Sequence, residues 1–209
     1  MKNIHLLNHI LIEHKIAILR DENTKTKQFR EVIEEIAMLM TLEVLKDAPI
    51  KKIIVKTPLE EVAQTVIVEN SIVIVPILRA GLGMVNGVTA MLPSVKVGHI
   101  GIARNEETLE PVEYMCKLPE GIQDKMVILL DPMLATGGSA CAAITALKNR
   151  GVKNIKMLNI LAVPEGVEKI AKEHPDIEVY IAKVDRELNS KGYILPGLGD
   201  AGDRIFGTN

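Results

Sequence analysis

Val127-Ile128-Leu129-Leu130-Asp131-Pro132-Met133-Leu134-Ala135-Thr136-Gly137-Gly138-Ser139 is the stretch that decides the fold. Val127 to Leu130 is apolar without alternation, as in a strand buried on both faces of a parallel sheet. That strand delivers an acid, Asp131, and a turn of small residues then opens a helix. The free N–H groups of Thr136 to Ser139 gather at the positive end of the helix, and two hydroxyls add donors. Such a nest takes a phosphate. Gly137 and Gly138 let the main chain approach it closely. No Gly-Lys-Ser/Thr follows, so this is not a nucleoside-triphosphate loop. A ligand with both a phosphate and a sugar fits, its ribose hydroxyls donating to Asp131. A plain strand–helix turn with Ser139 as N-cap stays open as an alternative.

Reading outward, Ile72–Val75 is a second fully apolar strand. Leu82 to Met91 reads as helix and Val95 to Ile102 as strand. Beyond the phosphate turn come a helix (about Ser139 to Asn149), a strand (Ile155 to Leu161), a short helix (about Glu165 to Glu173) and a strand (Ile177 to Ile181). This alternation predicts an α/β fold with a doubly wound, mainly parallel sheet. Before it lie a short helix (His9 to Arg20) and a longer one (Thr26 to about Lys46). In the longer one, Phe29, Val32, Ile33, Ile36, Met40 and Val44 recur at helical spacing, and Pro49 stops it. Lys51–Lys56 and Val62–Val68 predict a β-hairpin turning at Pro58-Leu59-Glu60. The tail from Asp185 to Asn209 reads as ordered loop. The chain is expected to be one domain over 1–209.

Composition excludes several function classes. Hydrophobic residues are 47 % and charged residues 25 %, so disorder is not expected. Lys+Arg is 25 and Asp+Glu 27, a net charge of −2. That balance offers no general attraction to nucleic acid or anionic lipid. Aromatics are 2 %, too few for a base-stacking platform. An RNA-binding regulator would need a basic face that this charge does not support. The two cysteines, Cys116 and Cys141, have no CxxC or zinc spacing and read as reduced thiols. The longest apolar runs fall short of the ~18 residues of a membrane span, and no signal-peptide pattern opens the chain. A cytoplasmic location is expected.

Ligands of open parallel sheets bind where strands end. Ile72–Val75 runs into Pro76-Ile77-Leu78-Arg79-Ala80-Gly81-Leu82-Gly83, and Arg104 follows the next strand. Guanidinium forks bind phosphate oxygens in pairs, so Arg79 and Arg104 suit a diphosphate. Gly81 and Gly83 begin a dinucleotide fingerprint, but its sixth position is Asn86. Arg104 to Glu120 is a long polar connection, as a lid would be.

These segments resemble the phosphoribosyltransferases, and Asp-Pro-Met-Leu-Ala-Thr-Gly-Gly-Ser is similar to the ribose-phosphate loop of the uracil-specific branch. Pro132 stands where most of the wider superfamily has a second acid. The resemblance runs from about His5 to Asn209. It implies a type I phosphoribosyltransferase fold and the reaction uracil + 5-phosphoribosyl 1-diphosphate (PRPP) → UMP + diphosphate. For PRPP it implies Arg79, Arg104, Asp131, Pro132, Met133, Leu134, Ala135, Thr136, Gly137, Gly138, Ser139 and Asp200. Asp131, Arg104 and Asp200 would act in catalysis. Segment 103–120 would be a flexible hood, and 185–209 a base-binding tail.

In that tail, Tyr193-Ile194-Leu195-Pro196-Gly197-Leu198-Gly199-Asp200-Ala201-Gly202-Asp203, uracil contacts are implied for Ile194, Gly199, Asp200 and Ala201. Main-chain groups would match uracil O2, N3–H and O4, and cytosine would leave buried polar groups unpaired. An Asx-turn is the alternative for Asp200, while Asp203 and Arg204 are expected to tie the tail down. Mg²⁺ would ride on the diphosphate and water, with no direct protein ligand. A homodimer or homotetramer and GTP activation are further implications. Two departures stand out: Asn86 where Asp is usual, and Ala103 where an aromatic often precedes Arg104. His5, His9 and His14 read as solvated helix residues, and His99 as a hydrogen-bonded core residue. Cys141 has no His near it in sequence, and no nucleophile role is expected for it.

Overall fold

The computed structural model describes residues 3–104 and 111–208, with Arg104 described for its backbone alone. The chain opens with β1 (Ile4–Leu6), α1 (Ile10–Arg20) and α2 (Thr26–Val44). A hairpin of β2 (Ile50–Lys56) and β3 (Glu61–Ile67) follows. Next come β4 (Ile72–Leu78), α3 (Leu82–Met91), β5 (Lys96–Val97), β6 (His99–Arg104) and β7 (Pro111–Lys117). Then β8 (Met126–Leu130), β9 (Met133–Leu134), α4 (Gly138–Asn149), β10 (Asn154–Ala162), α5 (Pro164–Glu173) and β11 (Glu178–Val184). The tail holds β12 (Glu187–Leu188), β13 (Ile194–Leu195) and α6 (Ala201–Phe206).

The main sheet runs β1-β11-β10-β8-β4-β6-β7, with β5 beside β4 and β9 beside β10. Its pairings are parallel, except that β7 returns antiparallel along β6. Strand pleating sends alternate residues to opposite faces. Ile72, Ile74, Ile128, Leu130, Leu158 and Ile160 enter a core shared with α1, α2, α3 and α6. Val73, Val75, Val127, Leu129, Ile155 and Met157 enter a second core beneath α4 and α5. Helices thus cover both faces, and the unbroken apolar runs of β4 and β8 follow from that double burial. Since β4, β6 and β8 are parallel neighbours, their carboxyl ends lie on one edge, and the loops carrying Arg79, Arg104 and Asp131 leave from it.

Several expectations are corrected. The tail is not all loop: β12 and β13 pair antiparallel, and α6 docks on the core through Ala201 and Ile205. The segment Val95 to Ile102 divides into β5 and β6 at Gly98, where an added Cβ would lie 2.9 Å from Leu118 Cδ2. The polar stretch after Arg104 includes a strand, β7, whose residues are exposed except Cys116 and so lack an apolar stripe. Its first part, residues 105–110, lies outside the described residues, so the hood reading is not addressed there. α2 ends at Val44, ahead of Pro49. His5 sits in β1, its ring stacked on Tyr180 with centroids 4.5 Å apart. His9 caps α1, its side chain accepting from Leu11 N. His99 is only half-buried, at the start of β6.

Candidate active site

Between β8 and α4 the chain forms the short strand β9, which the sequence reading did not foresee, and then turns tightly into the helix. Gly137 is the N-cap of α4 in the left-handed region, with φ 75°. An added Cβ there would lie 3.2 Å from the Gly166 carbonyl oxygen. Gly166 is tighter still: its Cβ would stand 2.4 Å from the Ala135 oxygen. α5 therefore backs the loop at van der Waals distance, and both positions need glycine. Thr136 Oγ1 accepts from Gly138 N at 3.4 Å, and Thr136 and Ser139 are exposed at the mouth of the nest. Amides at a helix N-terminus facing solvent form an anion site.

Asp131 follows the last residue of β8. Its main chain is pinned on both sides: its N–H donates to Leu158 O at 3.2 Å, and its carbonyl accepts from Asn159 Nδ2 at 2.7 Å. Among the described residues its carboxylate accepts only a long bond from Met133 N, 3.3 Å. Half-buried and weakly solvated, the carboxyl is pushed up to about 7 by desolvation, which the Met133 bond only partly offsets. An acid held this way gains when positive charge develops beside it.

The loop after β4 comes against this turn because of Gly81. An added Cβ would sit 2.3 Å from the Leu130 carbonyl oxygen and 2.7 Å from Ile77 N and O, all main chain. Arg79, next to a cis Leu78–Arg79 peptide, is 60 % exposed at its side chain and lies 3.5 Å from Asp203. Arg204 anchors the tail instead. It donates to Leu19 O, to Leu198 O at 2.7 Å and to Asp21 O at 2.6 Å, and it stacks over the Phe29 ring. Asp203 and Arg204 therefore tie the tail down as expected.

Asp200 is the N-cap of α6, its Oδ1 accepting from Asp203 N at 2.9 Å, the bond the Asx-type alternative foresaw. It is nonetheless exposed and lines a cavity of about 240 Å³. Ala80 from the arginine loop, Met133 and Ala135 from the loop after β8, and Tyr193, Ile194, Gly199 and Ala201 from the tail are among the residues of its wall. Three segments distant in sequence thus meet in one small pocket. Its volume lies below the range of drug-sized sites and suits a compact ligand.

Comparison with known proteins agrees with this convergence. Residues 6–208 match the family model described as uracil phosphoribosyltransferase. The chain belongs to the uracil phosphoribosyltransferase family. It is 57 % identical to the uracil phosphoribosyltransferase of Thermoanaerobacter sp. (strain X514), covering 99 % of both chains. It is 52 % identical to that of Clostridioides difficile (strain 630), covering 100 % of each. A solved structure of an Aquifex aeolicus protein superposes with TM-score 0.90 at 41 % identity, covering 97 % of both chains. The adenine phosphoribosyltransferase of Trypanosoma brucei shares the fold alone, with TM-score 0.60 at 13 % identity over 92 % of this chain and 88 % of that one.

Within this family frame, the residues expected at the site divide by place. Asp131 to Ser139 run as one segment from the end of β8 through β9 into α4, and Ile194, Gly199, Asp200 and Ala201 line one pocket. Arg104 closes β6 on the same sheet edge; its side chain lies outside the described residues. Ala103 beside it is exposed and pairs with Val112. Asn86 donates to Glu34 Oε1 at 2.9 Å, away from the pocket. Sequence reading passed over Ala80, Tyr193, Gly166 and Asn159. Tyr193 carried a signal, being an aromatic among tail glycines. Gly166 and Asn159 act through contacts that only the assembled sheet creates.

Proposed function

We propose that this chain joins uracil to the ribose 5-phosphate of PRPP, releasing UMP and diphosphate in pyrimidine salvage. The carrying observation is the meeting of an anion nest, a desolvated carboxylate, an arginine loop and a glycine-lined pocket at one sheet edge. The amides of Thr136 to Ser139 hold the 5-phosphate, with Pro132 to Ala135 forming the floor. Asp131 accepts from the ribose hydroxyls and stabilises positive charge as the ring becomes oxocarbenium-like. Arg79 and Arg104 face the diphosphate. Main-chain groups around Ile194 and Gly199 to Ala201 read the base edge, and Asp200 stands between base and ribose. Uracil N1 attacks the anomeric carbon, the C–O electron pair leaves with the diphosphate, and the N1 proton is released. Holding the base in line supplies much of the rate.

Asp131 and Asp200 offer hard oxygen beside the substrate's phosphates, which suits Mg²⁺ carried by diphosphate and water with no direct protein ligand. When bound, that ion neutralises the leaving group. The reading extends to a hood over 103–120, a homodimer or homotetramer, GTP as activator and a cytoplasmic location. These rest on the resemblance.

The test is product formation from radiolabelled uracil, with and without PRPP and Mg²⁺, beside cytosine, hypoxanthine and orotate. UMP should form only with uracil and all components. No turnover by folded protein that binds PRPP would overturn the reading.

A further inference from the structure

We propose that Cys141, Glu173 and His174 form a site for a borderline-soft divalent cation such as Zn²⁺, in the cleft between α4 and the end of α5. The sulfur of Cys141, a carboxylate oxygen of Glu173 and a ring nitrogen of His174 all lie within 4.8 Å of one another. Thiolate, imidazole and carboxylate form a zinc-type donor set, and three protein ligands leave a fourth position for water. Bonds of about 2.0–2.3 Å place tetrahedral ligand atoms roughly 3.5 Å apart, so side chains now within 4.8 Å of one another must draw together on binding. Glu173 is exposed on the last turn of α5 and has the freedom to do so.

A cavity of about 410 Å³ borders Cys141 and Glu173 and reaches Gly138 and Lys169. It gives the ion a path from solvent and room for the fourth ligand. His174 is 7 % exposed, its ring buried beside Cys141. A neutral ring is the ligand form. Its Nε2 lies 3.2 Å from Cys141 O and 3.3 Å from Thr145 Oγ1, and its Nδ1 lies 3.3 Å from Lys148 Nζ. Lys148 is also held by Asp176 at 2.6 Å, so that carboxylate can keep the ammonium when the ring takes a metal. Lys148 and Lys169 oppose a dication here, while Glu173 and Asp176 favour it.

Without metal, Cys141 is a buried free thiol. Cation binding replaces that proton: Cys–SH + M²⁺ → Cys–S–M⁺ + H⁺. Affinity therefore rises with pH.

The experiment is Co²⁺ titration of chelator-treated full-length protein, without uracil or PRPP, read by absorbance. One equivalent should give tetrahedral d–d bands and a thiolate-to-cobalt charge-transfer band, both displaced by Zn²⁺. Cys141→Ser should abolish the charge-transfer band, while Cys116→Ser should keep it. Glu173→Gln changes an exposed side chain and should weaken Co²⁺ at least tenfold. Absence of the band, a band that survives Cys141→Ser, or an affinity unmoved in Glu173→Gln would each overturn the site. The readout needs no turnover, so it stands apart from the proposed reaction.

Discussion

Arg79 Nη2 stands 3.5 Å from Asp203 Oδ1, so an ion pair joins the arginine loop to the C-terminal tail. Both side chains are substantially exposed, and such pairs contribute about 0.2–1 kcal/mol. Arg79→Ala should therefore lower Tm by no more than ~4 °C in a chain of this size. A charge-assisted bond to diphosphate contributes more, about 1.5–3 kcal/mol, so KM for PRPP should rise at least tenfold. Thermal melts beside steady-state kinetics separate the two effects. A lowered Tm with KM unchanged would remove Arg79 from the diphosphate.

Asp131 sets a pH dependence. With its carboxyl pushed up to about 7, the free protein loses the carboxylate as pH falls through 7. kcat/KM should then drop toward ~tenfold per pH unit on the acid side. The stability sign is opposite. Between the unfolded value of 3.8 and about 7 the native state holds the extra proton, so this group's contribution to stability declines as pH rises across that window. Asp131→Asn should flatten the acid limb, reduce kcat strongly, and raise Tm at pH 8 but not at pH 3. A Tm that falls at pH 8 would show the carboxylate to be structurally supported.

Gly81 is where the arginine loop and the end of β8 touch. In Gly81→Ala the new Cβ meets main-chain atoms at 2.3 and 2.7 Å, none of which can rotate away. Overpacking of this kind costs about 1–3 kcal/mol, here at the upper end. Tm should fall by roughly 5–10 °C, and activity should fall further because Arg79 and Asp131 are displaced together. Differential scanning calorimetry and product formation at a temperature below both melts check this. Wild-type turnover in the destabilised variant would mean the two loops act independently.

The parts of this molecule legible in sequence are those whose physics is local. β4 and β8 show as unbroken apolar runs because both faces are buried, and the nest shows because Gly137 and Gly138 allow a left-handed turn and close approach that a side chain would block. What stayed hidden depends on distant partners. α6 has six residues and sits in a glycine-rich tail; its cap, Asp200, reads equally well as a ligand. Lys156, inside β10, is 2 % exposed, and only the fold brings Asp47, Glu178 and the Val44 carbonyl to its ammonium. The Cys141–His174 proximity likewise needs α4 and α5 packed side by side.

Asn86 has a specific partner in this chain. Its Nδ2 donates to Glu34 Oε1 at 2.9 Å across α3 and α2, and a carboxylate there would face another carboxylate. Asn86→Asp should cost up to ~1 kcal/mol near pH 7, in keeping with a partly exposed pair. Two like charges raise each other's pKa in the folded state, so the loss should shrink below about pH 4 and be complete above about pH 6. Adding Glu34→Gln should recover the stability, since an amide would again donate across the contact. Asn86 lies outside the pocket wall, so KM for uracil should stay unchanged throughout. Urea midpoints at pH 4 and pH 7 for the single and double variants decide it. A loss independent of pH, or one the second substitution does not recover, would place the cause in helix packing rather than charge.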